Sequence, residues 1–273
     1  MTMEKRPSLA EQQELLHGLD HDYVVGSPHL RHEALRSYVE DRIADAVRGQ
    51  ITDTGRCRVL EIGAGHGSFT DVAVGAGATV TVTEMSGPSA EFLRNHFTGD
   101  RSVMVVFDPD GEEALRRPGE YDLILLISVL HHIPDYVTAI RRLVDERLAP
   151  GGGVLTFQDP LWYPTQTRVA RMTSWGCYYL WRVGQGHLSR GIHTHVRRFR
   201  GYYDDNEPSD TVEYHVMRDG IDHRGLVALL ESRFDHVSLD RYFSTQAPVL
   251  QRVGSKVFPP NTFAIAAAER QPS

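Results

Sequence analysis

Apolar residues in this chain keep two rhythms. Short bulky runs occur at Val59-Leu60-Ile62, Val80-Val82, Val103–Phe107, Leu123–Ile127 and Val154–Phe157, and such runs suit strands buried on both faces. Between them, apolar residues recur at three- and four-residue spacing, as in Phe69, Val72 and Ala73, the spacing of a helix with one buried face. Strand and helix alternating in this way predict five βα units between about residues 58 and 160, hence a parallel sheet with helices on both sides.

The flanks follow different patterns. Ser8-Leu9-Ala10-Glu11 has the form of a capping box, which predicts a helix to about Gly18. Ser27-Pro28 opens a second helix with Leu30, Ala34, Leu35, Tyr38, Val39, Ile43 and Val47 on one face. His21, Tyr23 and His29 are candidate contact residues near the break between the two helices. After residue 160 the chain turns aromatic and histidine-rich (Trp162, Trp175, Tyr178, His187, His193, His195, His215), with a helix expected near 165–183. Pattern returns at Asp222, which caps a helix carrying Leu226 and Leu230. Two closing strands are expected at 234–240 and 261–267, joined as a hairpin rather than through another helix.

Composition narrows the function. The 273 residues are 41% hydrophobic and 24% charged with a net charge of −7, ordinary globular values. The acidic balance argues against nucleic acid as partner. The one basic cluster, Arg197-Arg198-Phe199-Arg200, is followed at once by Asp204, Asp205 and Glu207. No apolar run reaches the roughly 20 residues that span a bilayer, so no membrane is expected. The first residues lack a signal-peptide pattern. Cys57 and Cys177 make neither a disulfide framework nor a zinc site, and a cytoplasmic home is the simplest.

The chemistry concentrates at Glu61-Ile62-Gly63-Ala64-Gly65-His66-Gly67. Glycines between a strand and a helix let the backbone turn sharply and come close to a ligand. The spacing is not the G-x-x-G ending of a pyrophosphate loop. It resembles the first motif of the class I methyltransferases that use S-adenosyl-L-methionine. Two further stretches carry the same resemblance. Ser128-Val129-Leu130-His131-His132-Ile133-Pro134-Asp135 is similar to the fourth motif of small-molecule methyltransferases, and Leu148-Ala149-Pro150-Gly151-Gly152 is similar to their turn before strand five. The histidine pair, with Asp159 ending strand five, is closest to natural-product sugar O-methyltransferases.

That resemblance implies a Rossmann-like, doubly wound α/β fold with a seven-stranded, mostly parallel sheet whose last strand is antiparallel. It places an N-terminal helical cap at 1–50, the core at 51–160 and 220–273, and an acceptor lid inserted at 161–219. It assigns Glu61, Gly63, Gly65, Gly67, Glu84, Met85, Asp108 and Ser128 to the cofactor. Glu61 would take the methionyl ammonium, Glu84 the ribose hydroxyls, Met85 the adenine face and Asp108 the adenine amino group. The sequence departs from the family after Asp108, where Pro109 removes the backbone donor that would also reach adenine.

Methyl transfer to a hydroxyl needs a base, because a neutral hydroxyl is a weak nucleophile. His131 is expected in that role, with Asp159 orienting it, although His132 can exchange roles with its neighbour. The acceptor is expected to be a small polar metabolite, a sugar or a glycosylated compound first. Nitrogen and carbon acceptors stay open. A divalent metal on His193, His195 and His215 with Asp204, Asp205 or Glu213 is a weaker alternative, and no metal is expected. Two rivals from other classes are a nicotinamide-dependent oxidoreductase and a non-catalytic S-adenosylmethionine-binding subunit. The aromatic insertion could bury itself against a second copy, so a homodimer is open.

Overall fold

The computed structural model describes residues 26–184, 214–216 and 218–272. The helix expected at 8–18, His21, Tyr23, the arginine cluster at 197–200, His187, His193, His195, Asp204, Asp205 and Glu213 lie outside the described residues.

The described chain opens with α1 (Pro28–Arg31) and α2 (Glu33–Thr54). Alternation follows through β1 (Arg58–Ile62), α3 (Ser68–Gly75), β2 (Thr79–Glu84), α4 (Gly87–His96), β3 (Val103–Phe107), α5 (Glu113–Arg116), β4 (Tyr121–Ile127), α6 (Tyr136–Arg147) and β5 (Leu148–Pro160). Next come α7 (Arg168–Gly184), α8 (His223–Glu231), β6 (Phe234–Tyr242), α9 (Pro248–Val257) and β7 (Thr262–Arg270). The strands form one seven-stranded sheet in the order β3-β2-β1-β4-β5-β7-β6. β1 to β5 run parallel to one another, and β7 enters antiparallel between β5 and β6.

Each face of the sheet has its own core. On one face Leu60, Ile124, Val154 and Ile265 pack with Ile140 and Leu143 of α6 and Leu226 and Leu230 of α8. On the other, Val59, Leu125, Leu155 and Phe157 pack with Val39, Ile43 and Val47 of α2 and Phe69 and Ala73 of α3. β4 is buried along its whole length, which accounts for its unbroken apolar run. At its start Asp122 accepts from the Arg58 main-chain N–H at 2.8 Å and the Arg58 guanidinium at 2.8 and 3.0 Å, fixing the register of β4 against β1.

Three details depart from the sequence pattern. The helix expected from Ser27 onward breaks at His32, whose backbone is extended. There Arg31 donates to the Gln246 carbonyl at 3.0 Å and the His32 ring meets the Thr245 carbonyl at 2.8 Å, pinning α1 onto the loop after β6. The expected closing hairpin is interrupted by α9, which Pro248 starts. Gly254 lies against Phe243 and Phe258, where an added Cβ would fall 2.3 and 2.6 Å from their rings, and this contact seats the helix. Finally, the glycine turn expected ahead of strand five is a bulge within β5: Leu148 pairs with Tyr121, and the pairing resumes only at Gly153 opposite Leu123.

Candidate functional site

A cavity of about 1650 Å³ opens at the carboxyl ends of β1, β2, β4 and β5, where open parallel sheets bind their ligands. All the residues expected to hold the cofactor or act as base line it except Gly67, and Asp159 lies behind His131. Its volume exceeds the 300–1,000 Å³ or so usual for one small-molecule pocket, leaving room for two ligands side by side.

The glycine loop forms one wall. Gly63, Gly65 and Gly67 have φ of 68°, 57° and 82°, the left-handed region that side chains avoid. A Cβ on Gly63 would lie 2.8 Å from Val129 Cγ2, and one on Gly67 2.8 Å from Leu93 Cδ2. Both glycines are therefore required by conformation and by space.

Three buried carboxyl groups follow along that wall. Glu61, 2% exposed, accepts from the Thr70 hydroxyl at 2.6 Å. Burial pushes its carboxyl up to about 7; the Thr70 bond works against this, and the charges of Asp71 and Glu84 add to it. Glu84 uses one oxygen to accept from the Gly65 N–H at 2.9 Å and the other to accept from the Ser86 N–H at 3.0 Å. It thus clamps the glycine loop to the end of β2, a contact the sequence pattern does not reveal. Asp108 accepts from the Glu113 N–H at 3.1 Å, and burial is the main cause of its raised pKa. Met85 and Ser128 complete this half of the lining.

The second half centres on the turn after β4. Leu130–His132 forms a short 3₁₀ turn, and Asp135 then caps α6 by accepting from the Thr138 N–H at 3.1 Å. The turn points both histidine rings at the cavity, 4.0 Å apart between centroids. His131 Nδ1 lies 2.8 Å from Asp159 Oδ1, and the same oxygen accepts the His131 main-chain N–H at 3.1 Å. Asp159 is fully buried, and Oδ2 has no hydrogen-bond partner among the described residues. Burial raises its pKa, while the two bonds from His131 oppose the rise.

Other groups reach the site from distant parts of the chain. His29 of α1 is buried, stacks on Phe69 at 5.7 Å and lines the cavity. Burial, then the charge of nearby His131, lower its pKa to about 3, so the ring is neutral. His215, weighed from the sequence as a metal ligand, instead braces the histidine turn. Its N–H donates to the His131 carbonyl at 3.0 Å, and its ring meets the Ile133 and Pro134 carbonyls at 3.1 Å. Among the described residues no group of three or more His, Cys, Asp or Glu is placed to hold a metal ion. α7 turns Arg171, Ser174, Trp175 and Tyr178 toward the cavity, and Ser174 accepts from Asn261 at 3.3 Å. Gln158, Ser244 and Asn261 add polar lining that the sequence gave no motif to find.

Comparison with known proteins bears on the family and the fold. Residues 29–201 match a family model described as a methyltransferase domain. A ubiquinone biosynthesis O-methyltransferase of Thiobacillus denitrificans is 29% identical over 147 residues, covering 51% of this chain and 57% of that protein. The chain thus spans little more than half the length of such curated relatives. In fold it resembles the N-methyltransferase NodS of Bradyrhizobium japonicum, solved with S-adenosyl-L-homocysteine, at a TM-score of 0.52 and 15% identity over 98% of this chain and 100% of that one. It also resembles a phosphoethanolamine-type N-methyltransferase of Haemonchus contortus, at a TM-score of 0.56 and 14% identity over 98% of this chain and 61% of that one.

Proposed function

The chain belongs to the class I S-adenosylmethionine-dependent methyltransferases, and from that premise we propose that it methylates a hydroxyl oxygen of a small polar metabolite, with His131 as general base and Asp159 as its orienter. The observation that carries this reading is the 2.8 Å contact between His131 Nδ1 and the buried Asp159 carboxyl, at the edge of the cofactor cleft.

The wall of the cleft fits the cofactor by its chemistry. A buried carboxyl raised to about 7 even with the Thr70 hydroxyl bonded to it suits a ligand ammonium. Glu84 and Asp108 offer acceptors for hydroxyl and amino groups farther along, and the glycine backbone leaves room for close approach. S-adenosylmethionine, when bound, supplies a methyl group already activated by the sulfonium charge.

The protein's own contribution is then alignment and proton removal. Alignment of reacting groups is worth up to about 7–11 kcal/mol. Nδ1 of His131 faces Asp159, and Nε2 is the nitrogen assigned to the acceptor. His131 Nε2 would take the acceptor hydroxyl's proton as the methyl–sulfur bond breaks in favour of the oxygen, leaving the neutral thioether, and Asp159 would meet the positive charge on the ring. The carboxylate also holds the ring in the tautomer whose Nε2 carries a lone pair.

The acceptor class we favour is a sugar or glycosylated compound. Support comes from the resemblance of the histidine motif and from the polar lining by Gln158, Ser244 and Asn261 beside the aromatic residues of α7. The test is calorimetric titration with S-adenosylhomocysteine and, in parallel, NAD, followed by a mass screen of methyl glycosides, phenols and amines for a methyl gain. Micromolar binding of S-adenosylhomocysteine alone and methylation of a hydroxyl are expected. Methylation of amines only would overturn the oxygen assignment.

A further inference from the structure

β5 changes face one residue before Asp159. Val154 and Thr156 pair with Ala267 and Ile265, while Leu155 and Phe157 pair with Ala266 and Ala264. Phe157 and Ala264 belong to the core under α2 and α3. In a regular strand Asp159, two residues on from Phe157, would share that face. Instead the pairing slips: Asp159 sits opposite Phe263, which belongs to the core on the other face, with Leu130. Gln158 is the extra residue, at φ 66°, a left-handed conformation rare outside glycine.

The bulge is held by side chains. The Gln158 main-chain N–H donates to the Tyr242 hydroxyl at 3.1 Å. The Gln158 amide donates to Ser244 Oγ at 2.6 Å and accepts from the Tyr242 hydroxyl at 3.4 Å. Opposite it, the Ser128 N–H donates to the Phe157 carbonyl at 2.7 Å, so the end of β4 is tied to the residue just before the slip. A left-handed residue held by its own side chain at a strand end is backbone strain placed beside a functional group.

We infer that Gln158 is a positioning residue: its bulge turns the Asp159 carboxyl from the α2 face of the sheet to the His131 face and so assembles the His–Asp pair. The inference rests on the reading of that pair as catalytic, but its test does not depend on turnover.

The experiment uses the full chain, labelled with ¹⁵N-histidine and saturated with S-adenosylhomocysteine. The downfield proton on His131 Nδ1, assigned by its loss in Asp159→Asn, reports the bond directly. Wild type and Gln158→Gly, which keeps the left-handed backbone, are expected to show it. Gln158→Val, whose branched side chain resists positive φ, is expected to lose it while affinity for S-adenosylhomocysteine stays within about twofold. If Gln158→Val does not fold, Tyr242→Phe decides, and it is expected to shift the resonance upfield. A resonance that persists unchanged in Gln158→Val, or is absent from wild type, overturns the inference. Loss of the resonance with methyl transfer undiminished would leave the bulge inference standing and remove the base assignment instead.

Discussion

His131 and Asp159 leave neighbouring strands, 28 residues apart in sequence, and meet through two hydrogen bonds to one carboxyl oxygen. The oxygen that holds the imidazole ring also holds the backbone of the turn that carries it. Ring orientation and turn geometry are therefore coupled, and Asp159→Asn should disturb both. We expect His131→Ala to lower methyl transfer about 10²–10⁴-fold, the usual range for a general base, and Asp159→Asn by about a hundredfold or more. Affinity for S-adenosylhomocysteine should change little in either. His132→Ala is expected to cost less than His131→Ala, and full turnover in both histidine variants would end the base assignment. Single-turnover rates measured by mass spectrometry provide the check.

Gly63→Ala introduces two separable faults. The left-handed backbone costs an L-residue about 1–2 kcal/mol, and the new methyl would meet Val129 Cγ2 at 2.8 Å. The variant should melt lower and bind S-adenosylhomocysteine at least tenfold more weakly. Adding Val129→Ala should recover the part due to the clash and leave the backbone part. Calorimetric titration of the single and double variants separates them.

The legibility of these features in the sequence follows physical lines. Strands buried on both faces write themselves as apolar runs, so β1, β2, β4 and β5 can be read directly, while β3, an edge strand with Met104 and Phe107 exposed, is legible by its β-forming residues instead. The glycine loop and Ser128–Asp135 are legible because backbone conformation and chemistry leave few residue choices there. Gln158, Tyr242 and Ser244 are not legible, because a bulge is a mismatch between two strands distant in sequence and leaves no local pattern. The same holds for the Glu84 bond to Gly65: the sequence shows a carboxyl at a strand end but not which donor it finds. α9 escaped because its valines at 249, 253 and 257 lie exposed, while Gly254, which seats the helix, is a residue type that disfavours helix interiors.

His29 predicts an acid sensitivity. Its pKa is about 3 in the folded chain and near 6.5 when unfolded. Below pH 6.5 the unfolded chain takes up a proton that the folded one refuses, so stability present above that pH is lost as pH falls toward 3. At the acid limit the loss is on the order of 4–5 kcal/mol. His29→Phe keeps a ring against Phe69, removes the titration and removes the buried Nδ1, which has no hydrogen-bond partner among the described residues. The variant should be more stable than wild type at pH 5 by more than it is at pH 8. Urea denaturation at the two pH values tests this.

Glu61 acts with the opposite sign, and its effect is tied to the cofactor. Its folded pKa of about 7 lies above the carboxyl's ordinary value of about 4.5. The stability linked to this group is complete below about pH 4.5 and is lost as pH rises through 7, by about 3 kcal/mol at full ionisation. The chain without ligand should therefore gain stability on Glu61→Gln at pH 8 and very little at pH 5. Ligand binding reverses the balance, because an ammonium beside Glu61 favours the ionised form. Affinity of the wild type for S-adenosylhomocysteine should rise with pH up to about 7 and then level, with a proton released on binding below that point. In Glu61→Gln the rise and the proton release should vanish and the affinity should be low throughout. Calorimetry at pH 6 in two buffers of different ionisation heat reads the proton directly. Equal heats in wild type would mean that Glu61 is already ionised before the ligand arrives, and the ammonium assignment would lose its main support.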